Sequence, residues 1–280
     1  MNARPALFAA RIAAVMALAL AGPAMAQPPA PLQMSLDYDG TLYALNLLPV
    51  KVLVIHADGR AIPGGFNTGV VMKSYGILRA LKRVDIVADS QGRTGADGRA
   101  YPVAFSYIHH DGKRVRHVHV NWTPGNVLVE STPPYSDLGK PAATLAQKLA
   151  AVDPLTQFVR VAVAPSAQAI CSGPDRFFDG KQLYDLEFGR AEPAALTADD
   201  RAMGLVNGAQ CTVRYVEVAG FKPKPPDQRN QGLTSPITMV FGQMGASGPW
   251  VMVNLHADTE IGHADIALKK VVVTGQRPKA

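Results

Sequence analysis

The chain has 280 residues, 48% of them hydrophobic, with 28 Lys+Arg against 22 Asp+Glu and two cysteines. That is enough apolar chain to bury a full core, as one large or two small domains, without staples. The mild positive charge is scattered, and aromatic residues are not interleaved with it as a base-stacking surface requires, which argues against a nucleic-acid partner.

The first elements in chain order are Arg4 and Arg11, an apolar run from Ile12 to Leu20, and Ala24-Met25-Ala26. A charged start, a short apolar run and small residues at the last and third-last positions form the pattern of a secretory signal peptide over residues 1–26, cleaved near Ala26 to leave Gln27 first. The apolar run is about half of the ~20 residues that span a bilayer, so a transmembrane anchor is not expected. The residue directly after Ala26 is Gln27 and not a cysteine for lipid attachment, and without Arg4 and Arg11 the balance is 26 basic to 22 acidic residues, or +4. The expected location is the periplasm, in soluble form.

Residues 27–273 read as one β-rich domain followed by a short tail, 274–280. Five Asp-Gly pairs (at Asp39, Asp58, Asp97, Asp111 and Asp179) and Asn207-Gly208 carry the signal of two-residue hairpin turns, which need positive φ. Between them lie β-branched and aromatic runs: Val50–His56, Val84–Ala88, Val103–Ile108, Val115–Trp122 and Val127–Glu130 in a first half, about 33–131. Tyr184–Phe188, Thr212–Val218, Ile237–Phe241, Trp250–His256 and Ile266–Val273 make a second half, about 164–273. The halves are joined by a helical segment, 134–163. There Pro141 suits a first helical turn ahead of Leu145, Leu149 and Val152, and Asp153 then caps a second helix with Pro154 first and Leu155, Phe158, Val159 and Ala162 on its apolar face. The expected fold is mainly β: an antiparallel meander forming a curved sheet or incomplete barrel, with a helical hairpin insertion. The proline-rich stretch 222–236 reads as a loop.

Cys171 and Cys211 are expected to pair, because an exported chain meets an oxidising compartment. The hairpin at Asp111-Gly112 is the best enzyme candidate. If those two residues form the turn, His110 pairs with Lys113, Ser106 with His117 and Ala104 with His119, so His117 and His119 share a face opposite Phe105, Tyr107, Val118, Val120 and Trp122. Two imidazoles can share a metal, but a catalytic zinc needs a third protein ligand; a remote carboxylate, His256 or His263 could supply it. Asp37 and Asp39 imitate a carboxylate pair beside a turn. No hydrolase elbow, zincin helix or phosphate-binding loop is present, and no cofactor is implied.

Several segments in order resemble a family of exported bacterial proteins catalogued as domain of unknown function number 3108. They are Ser74-Tyr75-Gly76-Ile77-Leu78, Ser90-Gln91-Gly92-Arg93, Asp97-Gly98-Arg99-Ala100-Tyr101-Pro102, Val152-Asp153-Pro154-Leu155-Thr156, Phe178-Asp179-Gly180-Lys181 with Tyr184-Asp185-Leu186, and Cys211-Thr212-Val213-Arg214-Tyr215 with Gly220-Phe221. The resemblance implies an exported, β-dominated domain and supplies no reaction, cofactor or catalytic residue. Phe178, Tyr184, Leu186 and Phe188 read as core or groove residues around a turn.

The leading expectation is a non-enzymatic binding or carrier protein whose concave sheet face, partly covered by the helices, holds an apolar or envelope-derived ligand such as a lipid. One alternative is an envelope assembly or scaffold protein that engages an envelope protein through edge strands. A second is a metal-dependent hydrolase built on His117 and His119.

Overall fold

The computed structural model describes residues 31–44, 48–81, 83–95, 99–223, 236–259 and 262–275. The expected signal peptide, the Asp97-Gly98 pair and most of the 222–236 loop lie outside the described residues.

Seven strands follow one another as an antiparallel meander: β1 (Leu32–Ala44), β2 (Leu48–Ile62), β3 (Gly65–Ser74), β4 (Val84–Thr94), β5 (Ala100–Asp111), β6 (Arg114–Thr123) and β7 (Asn126–Thr132), with a short helix α1 (Gly76–Leu81) between β3 and β4. The second half adds β8 (Pro174–Phe178), β9 (Leu183–Phe188), β10 (Glu192–Pro193), β11 (Leu205–Ala219), β12 (Ile237–Met244), β13 (Trp250–Thr259) and β14 (Gly262–Thr274). The halves form one sheet, because β1 pairs with β14 along its whole length and gives the order β7-β6-β5-β4-β3-β2-β1-β14-β13-β12-β11-β9-β8, with β10 beside β11. Bulges at Asp37/Tyr38, Gly40/Thr41, Gln91/Gly92 and Val240/Phe241 add bend to the ordinary strand twist, so the sheet curls.

The two ends of this order, β7 and β8, are consecutive in the chain. The connection between them therefore has to cross the sheet, and it does so through α2 (Leu145–Leu149), α3 (Pro154–Val163) and α4 (Ala167–Ile170). Curling brings the β8–β9 turn onto β6 and β7: Gly180 has φ +100°, and a Cβ there would meet Val118 at 2.6 Å and Val120 at 3.1 Å. Val152 makes a parallel bridge to Phe177 along β8. The result is a barrel-like sheet closed by packing and by its own crossing segment.

Helix α3 lies on the concave side, against β3, β4, β5 and β13. Asp153 caps it by accepting from the N–H groups of Leu155 (2.9 Å) and Thr156 (3.0 Å). Its second oxygen accepts from the hydroxyls of Thr156 and of Ser90 on β4, which fastens the helix start to the sheet. Thr156, Val159 and Ala162 repeat at helical spacing and are buried. Val159 and Ala162 join Leu32, Met34, Leu36 and Tyr38 of β1 in the main core. Arg160 donates to the Ala100 carbonyl (3.0 Å) and pairs with Asp175 (3.2 Å), linking β5 to β8 across the barrel.

Cys171, just past α4, is disulfide-bonded to Cys211 on β11, with a Cα–Cα distance of 5.9 Å. The bond sits among Ala164, Ile170, Ala209, Phe241 and Trp250, a smaller core that anchors the C-terminal end of the crossing segment.

Three sequence expectations need correction. Asp39-Gly40, Asp58-Gly59 and Asn207-Gly208 lie inside β1, β2 and β11 rather than at turns. Their glycines allow close approach: a Cβ at Gly40 would meet Leu53 at 2.8 Å, one at Gly59 the Phe158 ring at 3.0 Å, and one at Gly208 the Ala194 carbonyl oxygen at 2.3 Å. Pro141 does not open a helix. Helix α2 starts later, at a capping box between Thr144 and Gln147, and Leu145 and Leu149 are exposed. The β5–β6 turn is centred on Gly112-Lys113, with Asp111 opposite Arg114. This places the positive φ at the first of the two turn residues, where Gly112 (+61°) adopts it without strain.

Candidate functional site

Strand alternation sorts the sheet into a concave and a convex face. One row across the strands, Met34-Gly59-Thr68-Ser90-Phe105-Val120, faces inward. The rows on either side of it face outward. Gln33, Arg60, Asn67, Gln91 and Ala104 form one; Ser35, Asp58, Gly69, Asp89, Ser106 and His119 form the other.

Between these outer rows runs a trough of about 730 Å³ that continues past Val272 and Thr274 on β14. Its walls stand two residues apart on each strand, roughly 7 Å at the ordinary strand rise. One wall is dominated by amides and a guanidinium, the other by carboxylates and hydroxyls, and Gly69 leaves a gap in the second. Primary amides donate and accept at once, so this pair of walls can satisfy a chain that alternates donors and acceptors.

An ionic cluster sits at the acidic wall. His56 contacts Asp37 through Nδ1 (2.6 Å) and Asp58 through Nε2 (2.9 Å). The hydrogen bond to Asp37, with the charge of Asp58, raises the His56 pKa above the usual imidazole value, against a smaller opposing effect of burial. Asp39 pairs with Lys51 at 2.6 Å. The Asp37/Asp39 pair is thus divided between His56 and Lys51.

His117 and His119 both project from the convex face of β6. His119 lines the trough, opposite Ser106 and Glu130, while His117 stands opposite Ile108 and Thr132. The register differs by two residues from the expected one, and a shift of two preserves the face. His256 on β13 and His263 on β14 lie seven and six strand steps from β6, about 29 Å or more measured along the curled sheet at ~4.8 Å per step. Among the described residues, the close grouping of metal-ligand types is instead His256, His263 and Asp265.

Phe178 is 1% exposed and packs with Leu183, Val118 and Val120. Tyr184 stacks on Phe177 (5.4 Å between centroids) and meets Tyr215 at 5.0 Å, Leu186 lies opposite Tyr215, and Phe188 packs against the disulfide-containing core. Phe178 stands opposite Leu183 and Phe177 opposite Tyr184, so Phe178 faces away from Tyr184, Leu186 and Phe188. Close by is the half-buried Asp179, whose carboxyl is raised above its usual range by desolvation, although it accepts backbone N–H bonds from Lys181 and Gln182. Tyr107 and Tyr135 share a hydroxyl–hydroxyl bond of 3.0 Å beside them, and burial raises both phenols.

Reasoning from sequence missed the trough, since its walls come from strands whose register is not local. It also missed that His-Ala-Asp occurs three times, at 56–58, 256–258 and 263–265. That repeat was a usable signal: alternation puts each His and Asp on one face.

No family model and no curated protein matches this chain. Among solved structures it is similar to the crystal structure of a β-barrel-like protein of domain of unknown function DUF1849 from Brucella abortus, with a TM-score of 0.49 and 10% identity, over 89% of this chain and 100% of that one.

Proposed function

We propose that this chain is an exported, non-enzymatic binding protein of the family numbered 3108, and that its convex trough holds an extended polar strand derived from the cell envelope. The observation that carries this reading is the pairing of an amide-rich wall with an acid- and hydroxyl-rich wall around about 730 Å³ of open trough. The concave face, where an apolar cargo was expected, is taken up by α3 and the side chains packed on it. Residence in an oxidising compartment is supported by the Cys171–Cys211 disulfide and by the signal-like residues 1–26. No described helix is long and apolar enough to cross a membrane. Edge-strand assembly has less support, because Val152 already bridges to β8 and α2 packs beside β7.

The test is native mass spectrometry of the protein released from envelopes, comparing the natural chain with Gly69→Trp. A Cβ there would meet the exposed Asp89 carboxylate at 3.1 Å, so the indole would push that carboxylate aside and fill the acidic wall without entering the core. A polar oligomer bound to the natural chain and absent from the variant is the expected result. An organic-extractable amphiphile bound equally to both would overturn the reading.

A further inference from the structure

On the convex face, well away from the trough, β13 and β14 build a four-cornered cluster. His256 is the direct cross-strand partner of Asp265, and Asp258 that of His263. Since alternate residues on a strand share a face, two imidazoles occupy one diagonal and two carboxylates the other. His256 Nδ1 lies 2.7 Å from Asp265 Oδ1 and its Nε2 lies 3.4 Å from Asp258 Oδ1. The two imidazole centroids are 5.1 Å apart, and His263 is held from its other side by stacking on Tyr43 of β1 at 4.2 Å. One ligand atom from each of His256, His263 and Asp265 lies within 4.8 Å of the others, and all three residues are half-buried.

We infer that this cluster is a zinc site, with His256, His263 and Asp265 as ligands and Asp258, on the other imidazole nitrogen of His256, as the carboxylate that orients that ligand. Donor chemistry narrows the ion to the transition-metal class: magnesium and calcium take all-oxygen shells, and zinc, which accepts mixed imidazole and carboxylate ligands without a demanding geometry, is the ion put to the test. Two carboxylates also balance the charge of a divalent cation. Donor atoms around a tetrahedral zinc at 2.0–2.1 Å lie about 3.3 Å apart, so the three ligand atoms, now within 4.8 Å of one another, have to close by no more than about 1.5 Å. The strands fix the Cα positions, and the Tyr43 stack limits the swing of His263. The ion would tie together the two strands next to the β1–β14 seam that joins the halves of the sheet.

The His56 cluster is the internal contrast. There a single imidazole has a carboxylate on each nitrogen, at 2.6 and 2.9 Å, and no second imidazole is in the group. That arrangement is an ion-pair triad; the second imidazole is what makes the β13–β14 cluster a metal site.

The full exported chain, stripped with chelator and dialysed against zinc sulfate, should retain about one zinc per chain by elemental analysis. His263→Ala and Asp265→Asn should each lower retention to under about a tenth of an equivalent, while a His117→Ala/His119→Ala double variant keeps it. Cobalt in place of zinc should give the visible bands of a tetrahedral site in the natural chain and lose them in the same two variants. Circular dichroism checks that the variants fold. If one does not, the imidazole C–H resonances of the natural chain decide: zinc should shift two histidines, those lost in the His256 and His263 variants, and leave the others in place. Failure to retain zinc, retention by both site variants, or loss in the His117/His119 variant would each overturn the inference.

Discussion

The concave and convex faces of this sheet use the same strands for opposite purposes. On the concave face Thr156, Val159 and Ala162 of α3 meet Leu32, Met34, Leu36 and Ser90, and the hydroxyls of Thr156 and Ser90 donate to Asp153. The convex face gathers the exposed His56, Asp58, Arg60 and Asp89 with the half-buried Asp37 and the β13–β14 cluster. A one-residue step along any strand moves a side chain from one regime to the other, so burial, and not residue type alone, decides what each group contributes.

The difference is sharpest in two carboxyls. Asp153, fully buried on the concave side, is pushed up by burial despite the hydrogen bonds it accepts from Thr156, Ser90 and Leu155. Asp85, on the convex side beneath α1, is also pushed up by burial, but hydrogen bonds and charge from Arg83 (2.5 Å) and Arg79 (2.8 Å) outweigh this and hold it below the usual value. By linkage the two carboxyls oppose each other. The Asp153 contribution to stability is present below the unfolded value of 3.8 and is lost as pH rises through the raised folded value. That of Asp85 is present above 3.8 and is lost as pH falls through its lowered folded value.

Changes to buried groups should therefore have large effects on stability. Phe178→Ala is expected to lose about 3–5 kcal/mol in chemical denaturation, because a side chain 1% exposed leaves a cavity between β6 and β8. Removing the disulfide, which spans a sequence separation of 40, is expected to lose roughly 4 kcal/mol by the loop-entropy argument, read from denaturation with and without reductant. Asp153→Ala should lose about 1–2 kcal/mol as the α3 cap goes and the Ser90 hydroxyl loses its partner. Asp153→Asn keeps the capping oxygen and should remove the decline in stability above about pH 4, whereas Asp85→Asn should remove part of the loss at lower pH. Denaturation curves collected from pH 3 to pH 7 check both; slopes of the same sign for the two variants would break the contrast. Gly69→Trp on the convex face should change stability by less than about 0.5 kcal/mol while abolishing ligand retention.

Much of the fold was legible from local patterns. The β-rich runs fall within observed strands, and Asp153-Pro154 starts α3 because an N-cap carboxylate and a proline at the first helical position act locally. The two cysteines could be paired from compartment chemistry. What local pattern could not tell was why a glycine follows an aspartate. Gly112 supplies a positive φ at a turn, but Gly40 and Gly59 make room for Leu53 and Phe158, partners fixed only by the tertiary fold. The same limit applies to the site. The shared face of His117 and His119 follows from alternation within one strand. The trough and the His256/His263/Asp265 cluster depend on cross-strand register, and joining the halves depends on the β1–β14 pairing of distant segments.

Chemical-shift mapping with the polar oligomers released from envelopes tests the division of the two faces most directly. The account predicts shifts at Asn67, Asp89, Gln91 and Ser106, with Val159, Ala162 and Phe178 unmoved. Shifts confined to α3 and the inward row Met34-Thr68-Phe105, or produced only by an amphiphile, would contradict it.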